Sequence, residues 1–165
     1  MQKKAFAGIE LLIGAAVIVG IIIALMAATN IIDQIAKTSD NNTLEISRQI
    51  NSGIVRSYGS TSSFPWQDEL SGVTFSSKEG IDIINKIVDV GELKKNFIKI
   101  SGKKLEKIFL TTIGDSHFTI CFFPESKFYS TDIATKYNKF GQQIDCKKEK
   151  CYVCLNDGLG TQDSN

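Results

Sequence analysis

Residues Phe6 to Ile32 read FAGIELLIGAAVIVGIIIALMAATNII, an apolar run of 27 residues carrying one charge, Glu10. As an α-helix rising about 1.5 Å per residue it reaches ~40 Å, more than the ~30 Å hydrocarbon core of a bilayer. The stretch therefore predicts a transmembrane helix. Lys3 and Lys4 before it, with Asp33 soon after, predict a cytoplasmic amino end and an exported carboxyl side. A secretory signal peptide is the competing account. Its apolar region normally spans ~7 to 15 residues before a small-x-small cut, and Ala27-Ala28-Thr29 matches such a cut only weakly.

A carboxylate inside hydrocarbon costs at least ~2.5 kcal/mol and usually marks a function or a partner. For an isolated anchor, an acidic residue at the headgroup edge explains Glu10 equally well. Its surroundings point further. Met1-Gln2-Lys3-Lys4-Ala5 is a short basic leader, and Phe6-Ala7-Gly8-Ile9-Glu10-Leu11-Leu12-Ile13 follows it. The two together resemble the prepilin processing signal of the type IV pilin family. The resemblance implies a cut by prepilin peptidase between Ala5 and Phe6, methylation of the new amino terminus at Phe6, and an assembly role for Glu10. In that family the Glu meets the amino terminus of a neighbouring subunit. Ala5 stands where the family usually has Gly, and Ala27, Ala28 and Thr29 lie where many members have Pro.

The implied partners are further copies of the chain in a helical homopolymer, the prepilin peptidase, the inner-membrane assembly machinery, and the membrane itself before assembly. The implied location is the inner membrane for the precursor, with a cytoplasmic amino terminus and a periplasmic head, and an extracellular pilus after assembly. Within the run, Ala16, Gly20, Ala24 and Ala28 recur at every fourth residue. They would place four small side chains on one helix face, where membrane helices can approach closely, although Gly and Ala are common in such helices anyway.

With 165 residues, net charge +1 and 42% apolar content, the chain suits one domain plus an anchor. The near-balanced charge gives no sign of nucleic acid as a partner. The basic pairs Lys94-Lys95, Lys103-Lys104 and Lys147-Lys148 are scattered, as on an ordinary soluble surface. The expected organisation is a leader over 1–5, a helical spine over 6–58 with its transmembrane part at 6–32, and an exported head over 59–165. The expected class is α+β: a small antiparallel sheet with flanking helices behind a long amino-terminal helix, as in pilins.

Past the membrane run, Ile31, Ile35, Leu44, Ile46, Ile50, Ile54 and Val55 keep near-helical spacing. Thr38 to Thr43, TSDNNT, are poor helix formers and predict a frayed or bent middle, or two helices meeting there. GSTSSFP, 59–65, predicts a break. Ser76-Ser77-Lys78-Glu79 is a capping-box pattern ahead of Ile81, Ile84, Ile87 and Val88, and predicts an amphipathic helix ending near Gly91. Phe97 to Ile100 alternates as a strand. Lys107–Ile113 and His117–Phe123 predict a hairpin about Gly114-Asp115-Ser116. Ile133, Ala134, Tyr137 and Phe140 predict a helix between Ser130 and Phe140, and Gln142–Leu155 a small terminal hairpin.

Four cysteines in an exported chain suit two disulfides. Cys146 and Cys151 bracket four charged residues and suit a pair facing across a tight turn. Cys154 would project from the opposite side of its strand to Cys151 and could join Cys121. That pairing is one of the three that four cysteines allow. The rival is a Cys151-x-x-Cys154 redox pair, or Zn²⁺ bound with Cys146 and Cys121.

Catalysis has little support. His117 is the only histidine, and there is no nucleophile elbow, phosphate loop or zincin string. Asn156, Asp157 and Asp163 offer oxygens to Ca²⁺, although a solvated tail is much the stronger account of them. No cofactor is implied. The expected function is structural: a pilin subunit polymerised into a type IV pilus filament for adhesion, aggregation, motility or conjugative contact. The near alternative is a type II secretion pseudopilin. The alternative of another class is a membrane-anchored periplasmic thiol- or metal-binding protein.

Overall fold

The structure, a computed structural model, describes residues 3–114, 117–132, 135–146 and 149–156; the side chains of 3–13, 22–30 and 156 lie outside that description. The fold is α+β, with an amino-terminal helix and a five-stranded antiparallel sheet. The chain divides into two units, Met1–Ala36 and Lys37–Asn165.

Helix α1, Lys3–Thr61, supplies all of the described first unit and opens the second. In the first unit Val17, Ile18, Val19, Ile21, Ile31, Ile32 and Ile35 are each more than half exposed. Among the described residues no helix is long and apolar enough to cross a membrane. The stretch expected to span, Phe6–Ile32, falls mostly on positions whose side chains are outside the description.

In the second unit the expected interruption at Thr38–Thr43 is absent, and α1 runs through it. The reason is that these poor helix formers face inward. Asp40, Thr43, Ser47, Ile50, Ile54 and Ser57 are all buried, at alternating spacings of three and four that make one stripe. Thr43 Oγ1 donates to the Ser39 carbonyl and Ser47 Oγ to the Thr43 carbonyl, each at 2.9 Å, so the buried hydroxyls are satisfied within the helix. Asp40, 2% exposed, accepts from the backbone N–H groups of Glu125 and Ser126 at 2.8 to 3.1 Å. Lys104 Nζ reaches Ser39, and Tyr129 donates to Asn41. The segment that looks like a break from its propensities is where the helix is fastened to the rest of its unit.

The helix ends at Thr61, within the expected break. Ser62 turns the chain with φ +54°, its N–H bonded to the Tyr58 carbonyl. Strand β1, Val73–Thr74, leads into α2, Lys78–Asp89. The cap is Ser77, one residue later than the pattern from Ser76 to Glu79 suggests, and its side chain accepts from the Gly80 N–H at 3.1 Å. Ile83, Ile84 and Ile87 fill the core beside Ile50 and Ile54. Gly80 is needed for space: a Cβ there would lie 2.2 Å from the Thr74 carbonyl oxygen and 2.5 Å from Phe75 Cα.

The strand expected at Phe97–Ile100 is instead a short helix, α3, Phe97–Ser101. Helical spacing turns Phe97 and Ser101 inward together while Ile100 stays 67% exposed, so the two-residue alternation has no sheet to serve. A 3₁₀ segment, Gly102–Lys107, follows. The central hairpin forms as expected from β2, Ile108–Ile113, and β3, His117–Phe122, with Leu110 opposite Ile120. Ile108, Leu110, Phe118, Ile120 and Phe122 line the core face.

The helix expected over Ser130–Phe140 is not formed. A single turn, α4, Lys127–Ser130, is followed by strand β4, Thr135–Tyr137. Sheet pairing overrides the helical spacing here, and residues 133–134 lie outside the description. Nor does 142–155 make a hairpin of its own. Strand β5, Tyr152–Asn156, enters between β3 and β4, giving the order β1-β2-β3-β5-β4; Gln142–Ile144 pair instead with Lys136–Asn138, through a bridge from Tyr137 to Gln143 and two backbone bonds.

Two substitutions test this framework. Gly80→Ala forces backbone apart at the α2 cap and is expected to lower unfolding free energy by about 2–3 kcal/mol, read as a denaturation midpoint. Asp40→Ala removes the acceptor of one buried N–H, that of Ser126, and of one part-buried N–H, that of Glu125, and should cost about 2–3 kcal/mol. An unchanged midpoint for Asp40→Ala would mean that the connection after β3 is held by its other contacts alone.

Candidate functional site

The positions expected for processing and assembly, Ala5, Phe6 and Glu10, lie within α1 but among the side chains outside the description. So do Ala24 and Ala28. Ala16 and Gly20 are described and exposed, and a Cβ built on Gly14 or Gly20 meets nothing within 4 Å.

The cysteines are paired as Cys121–Cys154 and Cys146–Cys151, and no cysteine is free. Strand geometry explains the first bridge. Cys121 on β3 and Cys154 on β5 are directly opposite in the register, on the face of the sheet away from Ile120 and Val153. Phe109, Phe123 and Tyr152 pack edge to face around that side, with centroids 5.6 to 5.7 Å apart. Cys151 and Cys154, which a redox motif would join, are each bonded elsewhere. Among the described residues no group of three or more His, Cys, Asp or Glu side chains could hold a metal ion. Asp157 and Asp163 of the tail lie outside the description. His117 sits exposed at the start of β3.

Two features of the second unit were not visible in sequence. The first is a groove of about 440 Å³ between α1 and the connection from α2 to α3, lined by Ile46, Leu93, Phe97 and Ile100 with Arg48, Arg56 and Lys94. Arg56 Nε bonds Glu92 at 2.6 Å. Ser101, buried in the same wall, has a side-chain oxygen with no hydrogen-bond partner. Gly53 permits the close approach here: its Cβ would be 3.1 Å from Ile87 and 3.2 Å from Leu93.

The second feature is an aromatic stack, Tyr58 on Phe64 on Trp66, with centroids 4.4 and 4.8 Å apart. Phe118 meets both Phe64 and Trp66 edge-on. The stack anchors the loop after α1 to the core, and concavities converge on Trp66 and Gln67 from several sides. Both features join segments far apart in the chain, so no local pattern announces them.

No known protein-family model, curated protein or solved structure matches this chain.

The two bridges close loops of very different length, with sequence separations of 33 and 5. In the chain-entropy account these correspond to about 4 and about 2 kcal/mol. Replacing Cys121 and Cys154 together by Ser is therefore expected to lower the denaturation midpoint about twice as far as replacing Cys146 and Cys151. Equal effects would show that loop closure is not what the bridges contribute.

Proposed function

We propose that this chain is a prepilin-like structural subunit, cut between Ala5 and Phe6, methylated at Phe6 and polymerised into an extracellular filament. One observation carries the reading: Glu10 stands five residues past a small residue that ends a basic leader, at the head of a 27-residue apolar run. Before assembly Phe6–Ile32 holds the precursor in the membrane, with Lys3 and Lys4 on the cytoplasmic side. After the cut, the Glu10 carboxylate lies one helical turn from the new amine of Phe6, and an opposite charge offsets the cost of burying either group. A neighbouring subunit's amine can take the same place, which sets the stagger between copies.

The remainder of the chain is compatible with that role. An α+β head held by two disulfides suits an oxidising compartment. Its exposed surface would coat the filament.

Intact mass and amino-terminal sequencing of the membrane-extracted protein from its native host test the proposal. The expected chain begins at N-methylated Phe6, lacking five residues and carrying one added methyl group. Glu10→Ala should still be cut, yet fall at least tenfold in sheared filament material. A chain beginning at Met1 would indicate a plain anchor, and one beginning near Asn30 ordinary secretion. Either result removes the filament reading.

A further inference from the structure

Helix α2 separates two concave surfaces of opposite charge. Past its carboxyl end lies the larger groove, rimmed by Arg48, Arg56 and Lys94, with Glu92 the one carboxylate among its lining residues. Around its first turns, Glu79 and Asp82 join Asp68 beside Trp66 in a second groove of about 200 Å³, and Glu69 follows on the same loop. Lys86 is the one cation among that groove's lining residues; it donates to the Pro65 carbonyl at 3.0 Å and lies 3.7 Å from Asp82, so Asp68, Glu69 and Glu79 carry the surface's excess negative charge.

The acidic groove runs along α2 from Glu79 to Lys86, and the basic groove begins at Glu92, beyond the end of the helix. They share no lining residue. Each also offers an apolar anchor: Ile100, 67% exposed, at the basic groove, and the half-buried Trp66 at the acidic one.

We propose that these surfaces are the two halves of one contact between copies of this chain, the acidic Trp66 surface of one head docking into the basic groove of the next. The inference rests on the filament reading and deepens it by naming the head contact. Complementary charge on one chain selects a second copy as the occupant, because both halves are present in every subunit. Two different patches make a heterologous contact, which leaves one half unused at each end and so propagates into an open helical array unless the rotation closes a ring. The charges set orientation and exclude the reversed pairing, and the apolar anchors supply the buried centre.

The test uses full-length chains in the native host. Asp68→Cys and Ile100→Cys are made in separate chains and produced together; the native cysteines are bonded to one another, so the added thiols are the reactive ones. The expected result is a disulfide-linked dimer from the mixture, with less than a tenth as much when either variant is produced alone. No dimer in the mixture, or equal dimer from one variant alone, overturns the proposal.

A second arm reads assembly. Arg48→Glu with Lys94→Glu, or Asp68→Lys with Glu69→Lys, should each reduce sheared polymer at least tenfold, and all four reversals in one chain should restore it. A fourfold variant that loses polymer as the two double variants together would predict overturns the proposal. These residues are exposed, so the reversals leave the core intact. If the wild-type chain proves uncut and forms no filament, the filament reading falls, and the mixed-cysteine result still decides whether the two surfaces meet.

Discussion

The second unit is organised by one buried carboxylate. Asp40 lies on the inward stripe of α1 and holds two backbone N–H groups of the segment that leaves β3. Charge-assisted bonds of this kind are worth roughly twice a neutral one, and a helix surface can supply them only if it gives up an apolar position. The stripe gives up four. Asp40, Thr43, Ser47 and Ser57 are buried where an ordinary amphipathic helix would place aliphatic residues. Ile50 and Ile54 sit between them and meet the isoleucines of α2 and the core face of the sheet. The stripe thus places isoleucines where the helix meets the sheet, hydroxyls that bond back into the helix at Thr43 and Ser47, and a carboxylate where it grips loop backbone. That division fixes its position along its own axis, since a slide of one turn would carry Asp40 away from the amides of Glu125 and Ser126 and leave them unpaired.

Glycine completes the same logic at the other contacts of α2. Gly80 lets the first turn of α2 lie against the backbone of β1, and Gly53 lets α1 lie close to Ile87 and Leu93. Neither has an unusual backbone angle that would demand glycine. Gly80 is there because backbone approaches more closely than a methyl group allows, and Gly53 because a methyl group would press on the side chains of Ile87 and Leu93.

Much of this was legible in the sequence, with a consistent pattern to what was not. The β2–β3 hairpin and α2 were read correctly because their buried faces are apolar and strictly periodic. The cysteine pairing was one of three open to the sequence; strand alternation favoured it, and Cys121 and Cys154 stand directly opposite in register. Thr38–Thr43 misled because propensity describes an isolated segment, whereas these side chains bond within their helix and to distant loops. Phe97–Ile100 and 130–140 misled because short apolar spacings fit both periods, and the available sheet edge decided between them. The two grooves were illegible for another reason: residues 46–56 meet 92–101, and 65–70 meet 79–86, only once the chain is folded. The reverse holds at the amino terminus. There the signal is entirely local, and its side chains at Ala5, Phe6 and Glu10 are legible in sequence alone.

The Cys121–Cys154 bridge has a mechanical consequence. Its loop encloses 33 residues of sequence separation and contains β4, the Cys146–Cys151 turn and most of β5. A pull applied along the chain from α1 toward the tail passes through the sulfur atoms and leaves that loop slack. At about 3.4 Å per extended residue, some 110 Å of contour is withheld from stretching. A head under tension can therefore yield elsewhere while the strands on either side of the bridge stay in register, a useful property for any subunit that must bear load between its neighbours.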